Sequence, residues 1–106
     1  MSSRSPQHLT TRQTYLVCYD ITEAKRLRQV FKTCKNHGTH LQYSVFECEL
    51  NLRERTKMES ELRGIIKHDE DQILFVALGP SEGRGDRVIA SLGLPYARFD
   101  APCYVV

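Results

Sequence analysis

An acidic residue, Asp20, ends one of the most apolar stretches of the chain. The residues before it, "YLVCY" at 15–19, suit a buried strand, and a segment rich in lysine and arginine follows within a few residues. A carboxylate is the hard oxygen ligand that Mg²⁺ prefers, but one carboxylate alone binds this ion poorly. Aspartate also commonly occupies turns and helix starts, so a purely local role for Asp20 is the alternative.

Basic residues are concentrated directly after Asp20. Residues 24–37 contain no acid, whereas residues 53–71 mix basic and acidic side chains. The basic residues of the first segment are Lys25, Arg26, Arg28, Lys32 and Lys35. On a helix, Lys25 and the residues three, seven and ten positions later share one flank. Because ordinary solvated faces mix signs, we expect this flank to bind a phosphate backbone; the alternative is a charged surface that serves only solvation.

Length and composition restrict the class of protein. With 106 residues and 41% hydrophobic content, the chain suits one compact domain with a modest core. No apolar run approaches the roughly 18 residues of a membrane span, and residues 1–14 lack the apolar centre of a signal peptide. The four cysteines form no CxxC pair and lie in or beside apolar patterns, which indicates buried thiols in a reducing compartment. We therefore expect a cytoplasmic protein with no disulfide and no membrane partner.

Three apolar segments predict strands. Residues 14–19 and 73–78 are apolar almost throughout, which is typical of strands covered on both faces. In residues 41–50, "LQYSVFECEL", apolar and polar residues alternate, and the alternation reverses between Val45 and Phe46. Strands keep strict parity, so the reversal predicts either a bulge or a tight hairpin at that point.

Two helices are predicted between these strands. In the first, Thr22 is the expected N-cap, Gly38 is the expected stop, and four apolar residues recur at helical spacing. In the second, Asn51 and Glu54 form a predicted capping box, and Gly64 weakens the helix slightly. The expected buried positions are Leu27, Val30, Phe31 and Cys34 in the first helix and Met58, Leu62, Ile65 and Ile66 in the second.

This order of elements predicts an α+β, ferredoxin-like βαββαβ sandwich over residues 15–106, preceded by a flexible extension at 1–14. Residues 79–103 are expected to form a loop and a short element, and residues 104–106 a short extra edge strand. Both helices cover one face of the sheet, so the other face remains open. Since its strands are apolar on both sides, we expect a second copy to cover it in a two-fold homodimer.

Four motifs resemble the CRISPR-associated protein 2 family of prokaryotes. They are "YDIT" after the first strand, a first helix that ends in "HG", "QYSVFECEL", and "DQILFVAL", which together span about residues 14–80. The resemblance implies a ferredoxin-like homodimer in which the C-terminal strand of each subunit completes the sheet of the other. It implies a metal-dependent endonuclease that cleaves RNA or DNA in the prokaryotic cytoplasm and takes part in the spacer-integration complex. The alternative is a non-catalytic DNA-binding adaptor that bridges dimers of the CRISPR integrase subunit.

The resemblance also implies roles for individual residues. Asp20 matches the family's aspartate, and two such carboxylates on a two-fold axis would share one Mg²⁺ or Mn²⁺ ion. Tyr19 is either a core residue or one that orients Asp20 for catalysis. Arg26 and Arg28 match the arginines of the family's first helix, with one residue of gap. Three further candidates are Ser44 and Phe46, which match "SVF", and His40, which stands where several members carry arginine.

Overall fold

A computed structural model describes residues 11–82 and 90–94. Its elements are β1 (Gln13–Asp20), α1 (Ala24–His37), β2 (Thr39–Gln42), β3 (Val45–Leu50), α2 (Leu52–Arg63) and β4 (Gln72–Pro80). The strands form one sheet in the order β2-β3-β1-β4, and every neighbouring pair is antiparallel. The predicted α+β, ferredoxin-like βαββαβ arrangement is confirmed.

The hydrophobic core lies between the helices and one face of the sheet. Alternate residues of β1 point into it, because successive side chains of a strand point to opposite faces. The residues of β3 that pair with these core residues of β1 also point into the core, and each helix contributes an apolar stripe. The buried set includes Tyr15, Val17, Tyr19, Phe46, Cys48 and Leu50 from the sheet, and Val30, Cys34, Met58 and Leu62 from the helices.

The opposite face of the sheet is mainly apolar along β1 and β4 and exposed along β4, and it also carries the two glutamates of β3. Leu16 and Cys18 of β1 lie beside Val76 and Leu74 of β4 in the strand register. Leu74 is 49% exposed and Val76 is 42% exposed. β1 is central, as predicted, but β4 is an edge strand of the described sheet. The helices cover one face of both strands, and the predicted cover of the other face by a second copy stays a prediction.

The helix ends differ in detail from the prediction. Glu23, not Thr22, caps α1: its carboxylate accepts hydrogen bonds from the backbone N–H groups of Lys25 and Arg26, at 3.0 Å and 2.9 Å. The predicted capping box of α2 is present. Gly64 is the C-cap of α2, so it ends this helix where the sequence analysis placed it inside.

The reversal of alternation marks a hairpin, with its turn slightly earlier than predicted. β2 and β3 are joined by a two-residue turn, Tyr43 and Ser44. The register between these strands also shifts between His40 and Gln42, so an irregularity accompanies the hairpin.

The predicted domain boundary at residue 15 falls too late, because β1 begins at Gln13. Arg12, just before the strand, forms an ion pair with Glu54 of α2 at 2.6 Å. Thr14 is buried, and its hydroxyl lies 2.8 Å from that of Ser81. The predicted edge strand at 104–106 and most of the loop at 79–103 lie outside the described residues. The described part of the chain contains no helix long and apolar enough to span a bilayer.

Gly38 is required by close packing between the end of α1 and β3. A Cβ atom at this position would collide with Cys48 Sγ and with the Glu47 carbonyl oxygen. The carbonyl belongs to a paired strand and cannot move without disturbing the sheet. The constraint is therefore steric, since the backbone of Gly38 is extended, with φ of −164°.

We expect Gly38→Ala to lower the free energy of unfolding by about 2 kcal/mol or more, because overpacking a rigid site forces backbone shifts. Gly64→Ala is the matched control: its nearest atom would lie 3.6 Å away, and its backbone is helical, so little change or a small gain is expected. Urea denaturation at one fixed protein concentration measures both. Equal effects of the two substitutions would contradict the steric explanation.

Candidate metal and nucleic-acid interface

Asp20 lies on the open face of the sheet, at its rim. It is the last residue of β1, and its parity places it on the same side as Leu16 and Cys18. Its side chain is exposed and makes no hydrogen bond or ion pair with any described residue. The local alternative, a capping role at the start of α1, is filled by Glu23. The carboxylate is therefore free to bind a cation.

Asp20 does not form a metal site with the described residues of its own chain. Among the described residues, no group of three or more histidine, cysteine, aspartate or glutamate side chains is placed to hold a metal ion. A metal ion at Asp20 therefore needs oxygen ligands other than those of the described residues. A second copy facing the same open surface would supply an identical carboxylate, which is the arrangement that the sequence analysis anticipated.

Tyr19 occupies the other side of the sheet from Asp20. It is 6% exposed, and its ring stacks on Phe46 with centroids 6.3 Å apart. Its hydroxyl is buried without a hydrogen-bond partner among the described residues, and burial raises the pKa of this phenol well above its usual range. Of the two roles considered for Tyr19, the position is that of a core residue.

The three residues around "SVF" shape the hairpin beside Asp20. Phe46 is fully buried, which favours packing over base stacking. The His40 ring packs against Phe31 and Phe46, with centroids 5.1 Å and 4.9 Å away, and its Nε2 donates to the Tyr43 carbonyl at 2.8 Å. The Ser44 carbonyl accepts a hydrogen bond from the Tyr19 N–H at 3.1 Å. These contacts fix the turn; roles of the three residues in nucleic-acid contact stay predictions.

Arg26 is held in an ion-pair network instead of lying on the free flank of α1. Its Nε donates to Asp71 Oδ2 at 2.8 Å, and its Nη2 donates to Glu70 Oε1 at 3.2 Å. The Asp71 side chain is fully buried and also accepts from the backbone N–H groups of Thr22 and Lys67. The guanidinium holds the pKa of the Asp71 carboxyl well below its usual range. Arg26 therefore joins the start of α1 to the start of β4.

The other basic residues of α1 are unpaired. Lys25, Arg28 and Lys32 are exposed, Lys35 is half-buried, and none forms an ion pair with a described residue. On α2 the charges are paired along the helix instead, as in Arg55–Glu59 at 2.6 Å and in Lys57–Glu61 at 3.4 Å. The two helices thus differ: α2 carries acids that pair with its basic residues, whereas α1 carries none and presents a row of cations without an ion pair to any described residue.

Comparison with known proteins decides the family. A family model described as CRISPR associated protein Cas2 matches residues 13–83, more than half of the chain. The chain belongs to the Cas2 family. It is 39% identical over 92 residues to a Rhodospirillum rubrum protein named CRISPR-associated endoribonuclease Cas2 1. The matched region covers 87% of this chain and 89% of the relative. It is 42% identical over 79 residues to the Geobacter sulfurreducens CRISPR-associated endoribonuclease Cas2, covering 74% and 82%.

A solved Cas2 structure has the same fold. The crystal structure of Streptococcus pyogenes Cas2 at pH 6.5 is 35% identical in sequence and superposes with a TM-score of 0.67, covering 76% of this chain and 99% of that one. The predicted resemblance to the family and the predicted fold are both confirmed, and this Cas2 protein has a CRISPR role.

Sequence reasoning missed the partner of Arg26 in this Cas2 protein. In the sequence, residues 68–72, "HDEDQ", are typical only of an acidic turn. Asp71 is separated from Arg26 by 45 residues, so helical spacing gives no indication of the pair. The available signal is composition: the basic start of α1 and the acidic turn before β4 are complementary, and the predicted topology places β1 and β4 side by side.

We expect Arg26→Met to lower the melting temperature of this Cas2 protein near pH 7, because the substitution leaves the buried Asp71 carboxylate without its main partner. A lowered carboxyl pKa stabilises the fold fully above the ordinary value of 3.8, and this contribution is lost as the pH falls through the lowered pKa. The difference in melting temperature should therefore shrink in acid. Thermal denaturation from pH 7 down to about pH 2 measures it, because the contribution begins to be lost only below the ordinary value of 3.8.

Arg28→Met is the matched control, because Arg28 is exposed and forms no ion pair with a described residue. It should leave the melting temperature unchanged and weaken nucleic-acid binding. The reverse assignment, with Arg28 needed for stability and Arg26 for binding, would contradict the geometry.

Proposed function

We propose that this Cas2 protein works as a homodimer whose two Asp20 carboxylates hold one divalent cation, Mg²⁺ or Mn²⁺, at which RNA or DNA phosphodiesters are hydrolysed. The observation that carries the proposal is the unpaired carboxylate of Asp20 at the rim of an open apolar face. The names of the Rhodospirillum and Geobacter relatives, both endoribonucleases, support nuclease activity.

The apolar face supports the homodimer. Leu74 and Val76 are each more than two-fifths exposed, and Leu16 and Cys18 lie beside them. Burying these side chains against an identical surface releases about 25 cal/mol for each Å² of apolar area removed from water. A two-fold axis through this face brings equivalent residues of the two subunits together, including those at the rim.

The donor set fits a hard divalent cation. Two carboxylates and several waters are the usual protein environment of Mg²⁺, which retains part of its hydration shell. When bound, the cation supplies a Lewis acid that polarises a phosphate oxygen and lowers the pKa of a water molecule. The two Asp20 side chains position it, and Arg28 with its neighbouring lysines holds adjoining phosphates by charge-assisted hydrogen bonds. Such contacts bind the backbone without reading its sequence.

A second function is favoured by the unpaired row on α1. Four cations on one helix, none in an ion pair with a described residue, can neutralise backbone phosphates, and this contact requires no cleavage. In this adaptor role, the dimer presents DNA to the CRISPR integrase subunit, and the nuclease activity is incidental. The adaptor requires the basic row but not Asp20, so the two functions depend on different residues.

Replacement of Asp20 by asparagine tests the nuclease. Asp20→Asn keeps the size of the side chain and removes the charge that binds the cation, so metal-dependent cleavage should fall by about a hundredfold or more. Cleavage of labelled single-stranded RNA and double-stranded DNA with Mg²⁺ or Mn²⁺ measures it. Sedimentation checks that the variant remains a dimer.

Asp69→Asn is the control, since Asp69 is an exposed acid in the turn before β4 and makes no ion pair with a described residue. It should cleave at the normal rate. Normal cleavage by the Asp20→Asn dimer would refute the nuclease proposal. Normal spacer acquisition in cells that carry Asp20→Asn would favour the adaptor.

Charge reversal on α1 tests the nucleic-acid contact. Lys32→Glu combined with Lys35→Glu should weaken binding, and the slope of log affinity against log salt should decrease by about one for each phosphate that the helix no longer binds. Arg53→Glu combined with Arg63→Glu makes the same change in net charge on α2. Fluorescence anisotropy with a labelled duplex measures both. Equal reductions of affinity in the two double variants would show that net charge, not the row on α1, determines binding.

A further inference from the structure

The turn between β2 and β3 holds a tyrosine in a backbone conformation that favours other residues. Two-residue hairpin turns require positive φ and usually contain glycine, asparagine or aspartate there. Tyr43 has φ of 26°, and it is the one non-glycine residue with positive φ in the described chain. The Cβ atom makes this region costly for most side chains. The conformation of the turn therefore does not account for a tyrosine at position 43.

The strained conformation of Tyr43 is held from the core. His40 donates its Nε2 hydrogen to the Tyr43 carbonyl at 2.8 Å. The imidazole is fixed in turn against the rings of Phe31 and Phe46, and Phe46 is fully buried. Backbone strain that the surroundings maintain in this way clusters at functional sites.

Packing within the chain does not explain the tyrosine ring. Tyr43 is 72% exposed, whereas Tyr15 and Tyr19 are 7% and 6% exposed and belong to the core. A smaller residue that tolerates positive φ would close the same turn without strain. The ring is therefore a feature that the fold carries at a cost and does not bury.

The turn that carries Tyr43 adjoins the end of β1. The β1–β3 register pairs Cys18 with Val45, and the Tyr19 N–H donates to the Ser44 carbonyl. Extending this antiparallel register by two residues sets Tyr43, in the turn, opposite Asp20, the last residue of β1. The exposed ring is therefore carried by the turn nearest to the carboxylate to which the proposed function assigns the cation.

We propose that Tyr43 is a base-stacking residue, and that its ring packs against a nucleobase next to the phosphate that reaches Asp20. This inference rests on the proposed function and specifies its substrate class. Aromatic stacking accepts any base, because every base has a π face, but it requires a base that is not already stacked in a duplex. The substrate is accordingly an unpaired stretch of nucleic acid, bound with little sequence preference.

The absence of tryptophan from the chain provides a direct test. Tyr43→Trp introduces a unique indole fluorophore at the turn. Titration of the full-length variant with oligothymidylate should quench its emission, since the indole stacks on a base. An abasic oligomer of the same length carries the same phosphates and should bind, as measured by anisotropy, with little quenching. Equal quenching by both oligomers, or binding of oligothymidylate without quenching, overturns the inference and leaves the proposed phosphate binding intact.

A second set of variants separates stacking from a structural role. Tyr43→Asn removes the ring and tolerates positive φ, so the melting temperature should be kept or raised while affinity for oligothymidylate falls about fivefold or more. Tyr43→Phe should retain the affinity of the wild type. Affinity for the abasic oligomer should be the same in all three proteins.

The outcomes are distinguishable. Unchanged affinity of Tyr43→Asn for oligothymidylate overturns the stacking role. Loss of the dimer in Tyr43→Asn, measured by sedimentation, also overturns it, because Tyr43 would then be an interface residue. If the wild type binds a duplex but neither oligomer, the inference about Tyr43 is overturned and the proposed nucleic-acid function stands. If it binds neither the oligomers nor a duplex, the proposed function is refuted, and the inference about Tyr43 falls with it.

Discussion

Alternation of side chains along β1 is the constraint on which the rest of the structure depends. Tyr19 and Asp20 are neighbours in sequence, yet one lies in the core beneath the helices and the other lies at the rim of the open face. Because the strand is central, its odd-numbered residues fix the packing of both helices, and its even-numbered residues form the surface on which the proposed dimer depends. A shift of one residue in register would exchange these two sets and destroy the core and the site together.

Much of the fold follows from short-range signals. The capping box at Asn51, the stop at Gly38 and the apolar periodicity of both helices are local patterns, and the structure contains them as expected. The errors are also local: Glu23 replaces Thr22 as the N-cap, and the hairpin turn is at Tyr43 and Ser44. Several neighbouring residues are able to cap the helix or to form the turn, so composition alone does not identify the residue that does so.

The candidate site is less predictable than the fold, because its residues are sorted by contacts distant in sequence. Arg26 and Arg28 look equivalent in the sequence, since both are basic residues at the start of α1. The structure distinguishes them: Arg26 forms an ion pair with the buried carboxylate of Asp71, whereas Arg28 forms none with a described residue. Tyr43 was not predicted for a different reason. In the sequence it is one apolar residue of an alternating strand, and only its positive φ in the structure shows that it lies in a strained turn.

In the proposed dimer, the cation and the subunit interface depend on each other. Two carboxylates brought together at the rim of an apolar interface repel one another, and the repulsion is strong where little water screens it. A divalent cation between them converts this repulsion into attraction, so cation binding and dimer formation stabilise each other by linkage. The apolar residues Leu74 and Val76 must then contribute enough burial to keep the subunits associated when the cation is absent. A cation held by two carboxylates would keep part of its hydration shell, and an incoming phosphate would add an oxygen ligand and strengthen the binding.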